Sequence, residues 1–187
     1  MFQQIGNLLV ESVFGFIIFL LLLRFYMQAF RAPFRNPAGE LVSTLTNWIV
    51  LPARRFIPGL YGLDLSSLVL AWLLDVAMLY LLSLLGGAMP SASAIPRLLV
   101  FAVVDVARSS VHLLIGIIIV QVILSWVAAY NPITGVLDAL TRPFYAFFRR
   151  FIPPIGNIDL SPIFILLAAQ IAVIVLNQLS RIVATAL

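Results

Sequence analysis

The chain has 187 residues, 63% of them hydrophobic and only 10% charged, with a net charge of +4. Soluble domains carry roughly 25% charged residues, so a soluble globular domain is excluded and an integral membrane protein is expected. All eleven basic residues are Arg, but no basic, aromatic-interleaved soluble module accompanies them, which argues against nucleic acid as a partner. The absence of Cys removes disulfides, thiolate chemistry and Cys-ligated metal.

About 20 apolar residues at 1.5 Å rise cross a ~30 Å hydrocarbon core, and four runs of this kind are present. The first extends from about Leu8 to Phe30, with Glu11 and Ser12 in its expected first turn and Arg24 in its last third. Met1 to Asn7 lacks the positive n-region of a signal peptide, so this helix is expected to remain in the mature chain. The second runs from about Leu65 to Met89, opened by Asp64 and closed by Gly86-Gly87. The third, about Arg97 to Ala129, is longer than a bilayer needs, which puts Asp105, Arg108 and His112 in or beyond the interface. The fourth runs from about Leu160 to Val183, and Ser161-Pro162 reads as an N-cap followed by Pro at the first helical position. A Ser/Ala/Pro linker divides the chain into a first repeat over 1–89, a connection over 90–97 and a second repeat over 98–187.

The division rests on a duplication. Asn36-Pro37, Leu45-Thr46, Arg54-Arg55-Phe56-Ile57-Pro58 and Asp64-Leu65-Ser66 recur 95 positions later, without a gap. Their second copies are Asn131-Pro132, Leu140-Thr141, Arg149-Arg150-Phe151-Ile152-Pro153 and Asp159-Leu160-Ser161. Asn36 and Asn131 are expected to cap short helices that open on Pro, with Asp64 and Asp159 capping the spans that follow. Pro-interrupted, amphipathic segments beside Arg and aromatic residues are suited to the headgroup layer.

Each copy joins an odd-numbered span to the next, so both fall on one side. That side holds Arg31, Arg35, Arg54, Arg55, Arg142, Arg149 and Arg150, against Arg97, Arg108 and Arg181 on the other. The positive-inside rule makes the signature loops cytoplasmic and both termini external. The expected fold is all-α and polytopic: two parallel-oriented helical hairpins, related by a pseudo-twofold axis along the membrane normal.

Three roles fit Arg54-Arg55 and Arg149-Arg150. They are contact with anionic headgroups at about 1 kcal/mol per Arg, docking of a partner protein, and bridging back to Asp64 or Asp159. Lipid contact is the simplest. Within the membrane, Asp75 stands out, because a central Asp costs roughly 2.5–3.5 kcal/mol and needs a partner. At the offset of 95 it matches Gln170. The favoured role is polar glue, Asp75 bonding Gln170 or Gln121, over an ion or proton site on the pseudo-twofold axis. With the first helices shifted by two more residues, Arg24 matches Gln121 and reads as a snorkelling cation or a counter-charge to Asp75. Asp105, Arg108 and His112 form a stripe with too few ligands for a metal. No P-loop, Gly-x-Ser-x-Gly or His-Glu-x-x-His is present, so no catalytic residue, metal or cofactor is expected.

The paired signature, with Ser125-Trp126 before its second copy, resembles the YggT (YlmG) family of small bacterial and plastid membrane proteins. Copy one departs from it, with Asn47-Trp48 where copy two has Arg142-Pro143, and Ser67 in place of Pro162. The resemblance implies a bacterial inner-membrane location and links to osmotic-stress tolerance, ion homeostasis, division-associated gene neighbourhoods and, in plastids, cytochrome b6 maturation. It implies no enzymatic activity. Two functions are expected to compete. One is a scaffold or envelope-homeostasis factor, presenting its Arg pairs to anionic lipids or to membrane proteins, a second copy among them. The other is an oligomeric ion-conducting component built around Asp75 and Gln170.

Overall fold

A computed structural model describes residues 1–57, 59, 63–87, 89, 91, 94–127, 132–151 and 159–186. Six helices follow in order: α1 (Phe2–Ala29), α2 (Pro37–Ala53), α3 (Leu65–Leu85), α4 (Ile95–Val127), α5 (Thr134–Phe148) and α6 (Ser161–Ala186). Four of them, α1, α3, α4 and α6, are long and apolar enough to cross a membrane. The chain is an all-helical, multi-pass membrane protein.

The boundaries differ from those expected at α1. The helix starts at Phe2, so Glu11 lies well inside it rather than in its first turn. At its other end Arg31 takes a left-handed conformation, φ 53°. The Ala32 amide donates to the Met27 carbonyl and the Arg31 amide to the Gln28 carbonyl. This Schellman closure usually carries Gly at the left-handed position, and here an Arg occupies it. Where α2 begins, the Asn36 side chain accepts from the Gly39 amide at 3.0 Å. A Cβ at Gly39 would collide with the Phe34 backbone, so the tight entry into α2 requires glycine there. The cap expected at Asn131 lies outside the described residues.

Packing is built from two antiparallel hairpins. In the first, α1 runs against α3, with Gly6 facing Leu85 at one end and Arg24 facing Asp64 at the other. In the second, α4 runs against α6, where Ile118 and Ile165 are buried together with Tyr145 of α5. The hairpins are joined by one larger core, in which Leu21, Leu22 and Met27 of α1 and Val42 and Val50 of α2 meet Val106 and Leu113 of α4 and Leu140 of α5. Helix α5 also packs on α1, and Phe30, just past α1, meets Phe144 of α5 edge-on at 6.2 Å.

The hairpins do not pair as a closed twofold. A twofold would set α6 on α1 as α3 sits on α4. Instead α3 packs on α4, α1 touches α4 lightly, and α1 and α6 share no packed interface among the described residues. The repeats therefore meet head to tail, which leaves α6 at an outer edge.

Candidate functional site

Each repeat assembles a polar node where its interfacial helix crosses its hairpin. In repeat one, Arg24 of α1 donates through Nη1 to Thr46 Oγ1 at 2.6 Å and to Asn47 Oδ1 at 2.9 Å. Its Nε lies 3.4 Å from Asp64 Oδ2. Arg54 grips the same carboxylate, with Nη2 at 2.6 Å from Oδ2 and Nε at 3.3 Å from Oδ1. The Ser67 hydroxyl donates to it at 2.8 Å. Asp64 therefore precedes α3 without capping it through its carboxylate. Two guanidinium groups outcompete the free amides, because a charge-assisted bond to Arg is roughly twice as strong as a neutral one.

Repeat two keeps the contact of the first helix with the Thr hydroxyl and the pair of Arg with Asp, but not the bond that joins them in repeat one. Gln121 of α4 stands in the place of Arg24, accepting from Thr141 Oγ1 at 2.9 Å and donating to Asp138 Oδ1 at 2.7 Å. Arg149 meets Asp159 Oδ2 through Nη2 at 2.6 Å and Nε at 3.0 Å. Its guanidinium also lies over the Tyr145 ring, 5.0 Å from the centroid. Asp159 accepts from the Ser161 amide at 2.9 Å, so it does serve the start of α6. The cation that repeat one keeps on α1, where Arg24 bonds Asn47, repeat two keeps on α5, where Arg142 lines the same cleft as Gln121.

Burial separates the two nodes. The Arg24 and Asp64 side chains are 7% and 1% exposed, whereas those of Arg149 and Asp159 are 56% and 28% exposed. Burial pushes the Asp64 carboxyl up, but the hydrogen bonds from Arg54 and Ser67 and the charges of Arg54 and Arg24 outweigh it and hold it below its ordinary value. Asp159 is likewise held low: slight burial raises it, and the Ser161 amide and Arg149 lower it further than that. Repeat two opens into a cleft of about 1230 Å³ lined by Gln121, Trp126, Asp138, Arg142, Arg149 and Asp159. The matching cleft beside Arg24, Arg31 and Arg54 is about 620 Å³.

Of each Arg pair, the first residue is thus spent on its own Asp. The second, Arg55 or Arg150, is exposed and makes no ion pair among the described residues, as is true of Arg142. Around them Trp48, Phe56, Trp126, Phe147 and Phe151 are exposed as well.

The intramembrane residues are placed otherwise than expected. Asp75 is buried at 1% exposure and its Oδ2 makes no hydrogen bond. It faces α4 across a pocket of about 360 Å³ that Ser109 and His112 also line, within electrostatic reach of Asp105 and Arg108. Gln170 is exposed on α6, and Gln121 is engaged at the node. The expected pairing of Asp75 with Gln170 or Gln121 is not formed, because the head-to-tail packing covers α3 with α4 and leaves the Gln170 face of α6 turned outward. Nor is Arg24 the counter-charge of Asp75, since Asp64 claims it. Arg108 pairs with Asp105 at 2.9 Å and reaches Asn177 at 3.3 Å. Among the described residues, no group of three or more His, Asp or Glu side chains is placed to hold a metal.

Sequence reasoning missed Thr46, Thr141 and Asp138. The two Thr were visible in the duplicated Leu-Thr, and the exchange of Arg24 and Asn47 for Gln121 and Arg142 was a second signal that these positions touch.

Comparison with known proteins agrees with the duplication. A family model described as CCB3/YggT matches residues 3–85 and again 100–180. An uncharacterized protein of Pseudomonas aeruginosa is 35% identical over 92% of this chain and 88% of its own length. An uncharacterized protein of Vibrio alginolyticus is 32% identical over 89% of this chain and 90% of its own. The uncharacterized protein YggT of Escherichia coli is 29% identical over 85% of this chain and 82% of its own. No solved structure matches the chain.

Proposed function

We propose that this chain, which belongs to the CCB3/YggT family, is a non-enzymatic scaffold of a bacterial inner membrane. Its signature face holds anionic phospholipid headgroups at the cytoplasmic surface. One observation carries the reading: in each repeat one Arg of the pair neutralises a structural Asp, while the other stands exposed among exposed aromatics. Arg whose aliphatic stems lie along apolar surface, beside Trp and Phe, suit the boundary between acyl chains and phosphates. Repeat one supports this face with a buried node. Repeat two offers an open cleft, where Arg142 and the outer side of Arg149 meet headgroup oxygens and Trp126 lies against the lipid.

Two experiments test the reading. Native mass spectrometry of the purified protein reads retained anionic phospholipid, and removing the unpaired arginines is expected to strip it. Orientation is read separately: alkaline phosphatase fused after Leu187 is expected to be active, because the signature side is cytoplasmic. An expressed but inactive fusion would reverse the orientation.

A further inference from the structure

We propose that the outer face of α6 binds α1 of a second copy of this chain, repeating between molecules the contact that α3 and α4 make within one. The duplication supplies the argument. On α3, Leu68, Trp72, Asp75 and Leu79 form one stripe at i, i+4, i+7 and i+11, and all four are buried or half-buried. Trp72 Nε1 donates to the Leu99 carbonyl of α4 at 3.1 Å, and Asp75 shares its pocket with Ser109 and His112 of α4. At the offset of 95 the same stripe on α6 is Ile163, Leu167, Gln170 and Ile174, and every one is exposed.

The other half of the contact is also duplicated and also bare. The first helices correspond at an offset of 97, the register in which Arg24 and Gln121 reach equivalent Thr hydroxyls. The residues of α4 against α3, namely Leu99, Ser109 and His112, with Asp105 and Arg108 in electrostatic reach of Asp75, then correspond to Phe2, Ser12, Gly15, Leu8 and Glu11 of α1. Phe2 and Leu8 are 93% and 63% exposed, Glu11 and Ser12 are exposed, and Gly15 is half-buried.

Chemistry favours a second copy over lipid. Gln170 lies nine residues into α6 and Glu11 nine residues into α1, each about 13 Å from its helix start. A lipid-facing carboxylate and amide at these positions are costly, and polar side chains inside a membrane normally face protein or water. The shared register brings Gln170 of one copy to Ser12 and Gly15 of the next, as Asp75 lies against Ser109 and His112, and the Gln170 amide there meets the Ser12 hydroxyl. Because the contact joins two different faces, it is heterologous and builds chains or closed rings rather than an isolated pair.

The cysteine-free chain makes the test direct. Two double variants are oxidised in native membranes at low expression. Ser12→Cys with Gln170→Cys probes the polar pair, and Phe2→Cys with Leu167→Cys probes the contact with Glu11 and Gln170 left in place. Head-to-tail contact gives a ladder of dimer, trimer and larger species for either double variant, and no crosslink for any single variant. A dimer from Gln170→Cys or Leu167→Cys alone would show a symmetric α6–α6 contact and overturn the proposal. Uncrosslinked protein in both double variants would overturn it as well, leaving lipid as the cover of α6.

Discussion

Replacing Asp64 with Asn is expected to destabilise the protein by about 3–5 kcal/mol, the usual result of removing one partner from a buried ion pair. Arg24 is buried and Arg54 binds the same carboxylate, so the substitution strands one cation and loosens the other. Asp159→Asn removes the equivalent carboxylate where the pair is open to solvent, and a cost of about 0–1 kcal/mol is expected there. Unfolding in mixed detergent micelles, followed by circular dichroism, measures both. Equal costs for the two substitutions would refute the difference between the nodes. The pH dependence has a definite sign. Asp64 is held below its ordinary value in the folded protein, so its contribution is complete above about 3.9, the unfolded value. It is lost as pH falls through the lower, folded value. That acid limb is expected to shrink in Asp64→Asn.

Changing Arg55, Arg142 and Arg150 together to Gln is expected to weaken retention of anionic phospholipid about 100-fold. Each Arg at the surface of an anionic membrane contributes about 1 kcal/mol, and every 1.4 kcal/mol is a factor of ten. None of the three makes an ion pair among the described residues, so the fold is expected to survive. The loss is to be read at low salt, since screening over a Debye length of about 10 Å at 0.1 M diminishes the effect. Arg54→Gln is the contrasting variant: it removes a ligand of Asp64, so it is expected to affect unfolding more than lipid. Lipid retention unchanged in the triple variant would remove the headgroup reading.

The spanning helices were legible because a bilayer imposes length and apolarity on every crossing segment, and the runs near Leu8, Leu65, Arg97 and Leu160 met both. The α2 entry was legible too, since Asn followed by Pro is a local signal and Asn36 closes on Gly39 within one turn. What escaped were choices made by tertiary packing. The carboxylate of Asp64 has the position of a cap, yet two distant Arg compete for it, and only one of them was considered. A bond between Asp75 and Gln170 requires equal repeats that meet symmetrically, and these do not. Equivalent residues occupy equivalent places within a hairpin, but duplication does not dictate how the hairpins join. The apolar faces that α3 turns to α4 and α6 turns outward have the same periodicity, so pattern alone could not say which would be covered.

The bond between Arg24 and Asp64 also has a consequence for synthesis. Forty residues separate them, and at ~5–20 residues per second the ribosome needs roughly 2–8 s to deliver the second after the first. Through that interval the nascent first helix holds an unneutralised guanidinium, a burden on partition into lipid. The helix is therefore expected to settle in the bilayer as half of a pair, completed only when Asp64 has emerged. Nascent chains arrested after Ala53 should extract from membranes at alkaline pH, and chains arrested well beyond Leu85 should not. Equal resistance at both lengths would mean that the first helix inserts without its counter-ion.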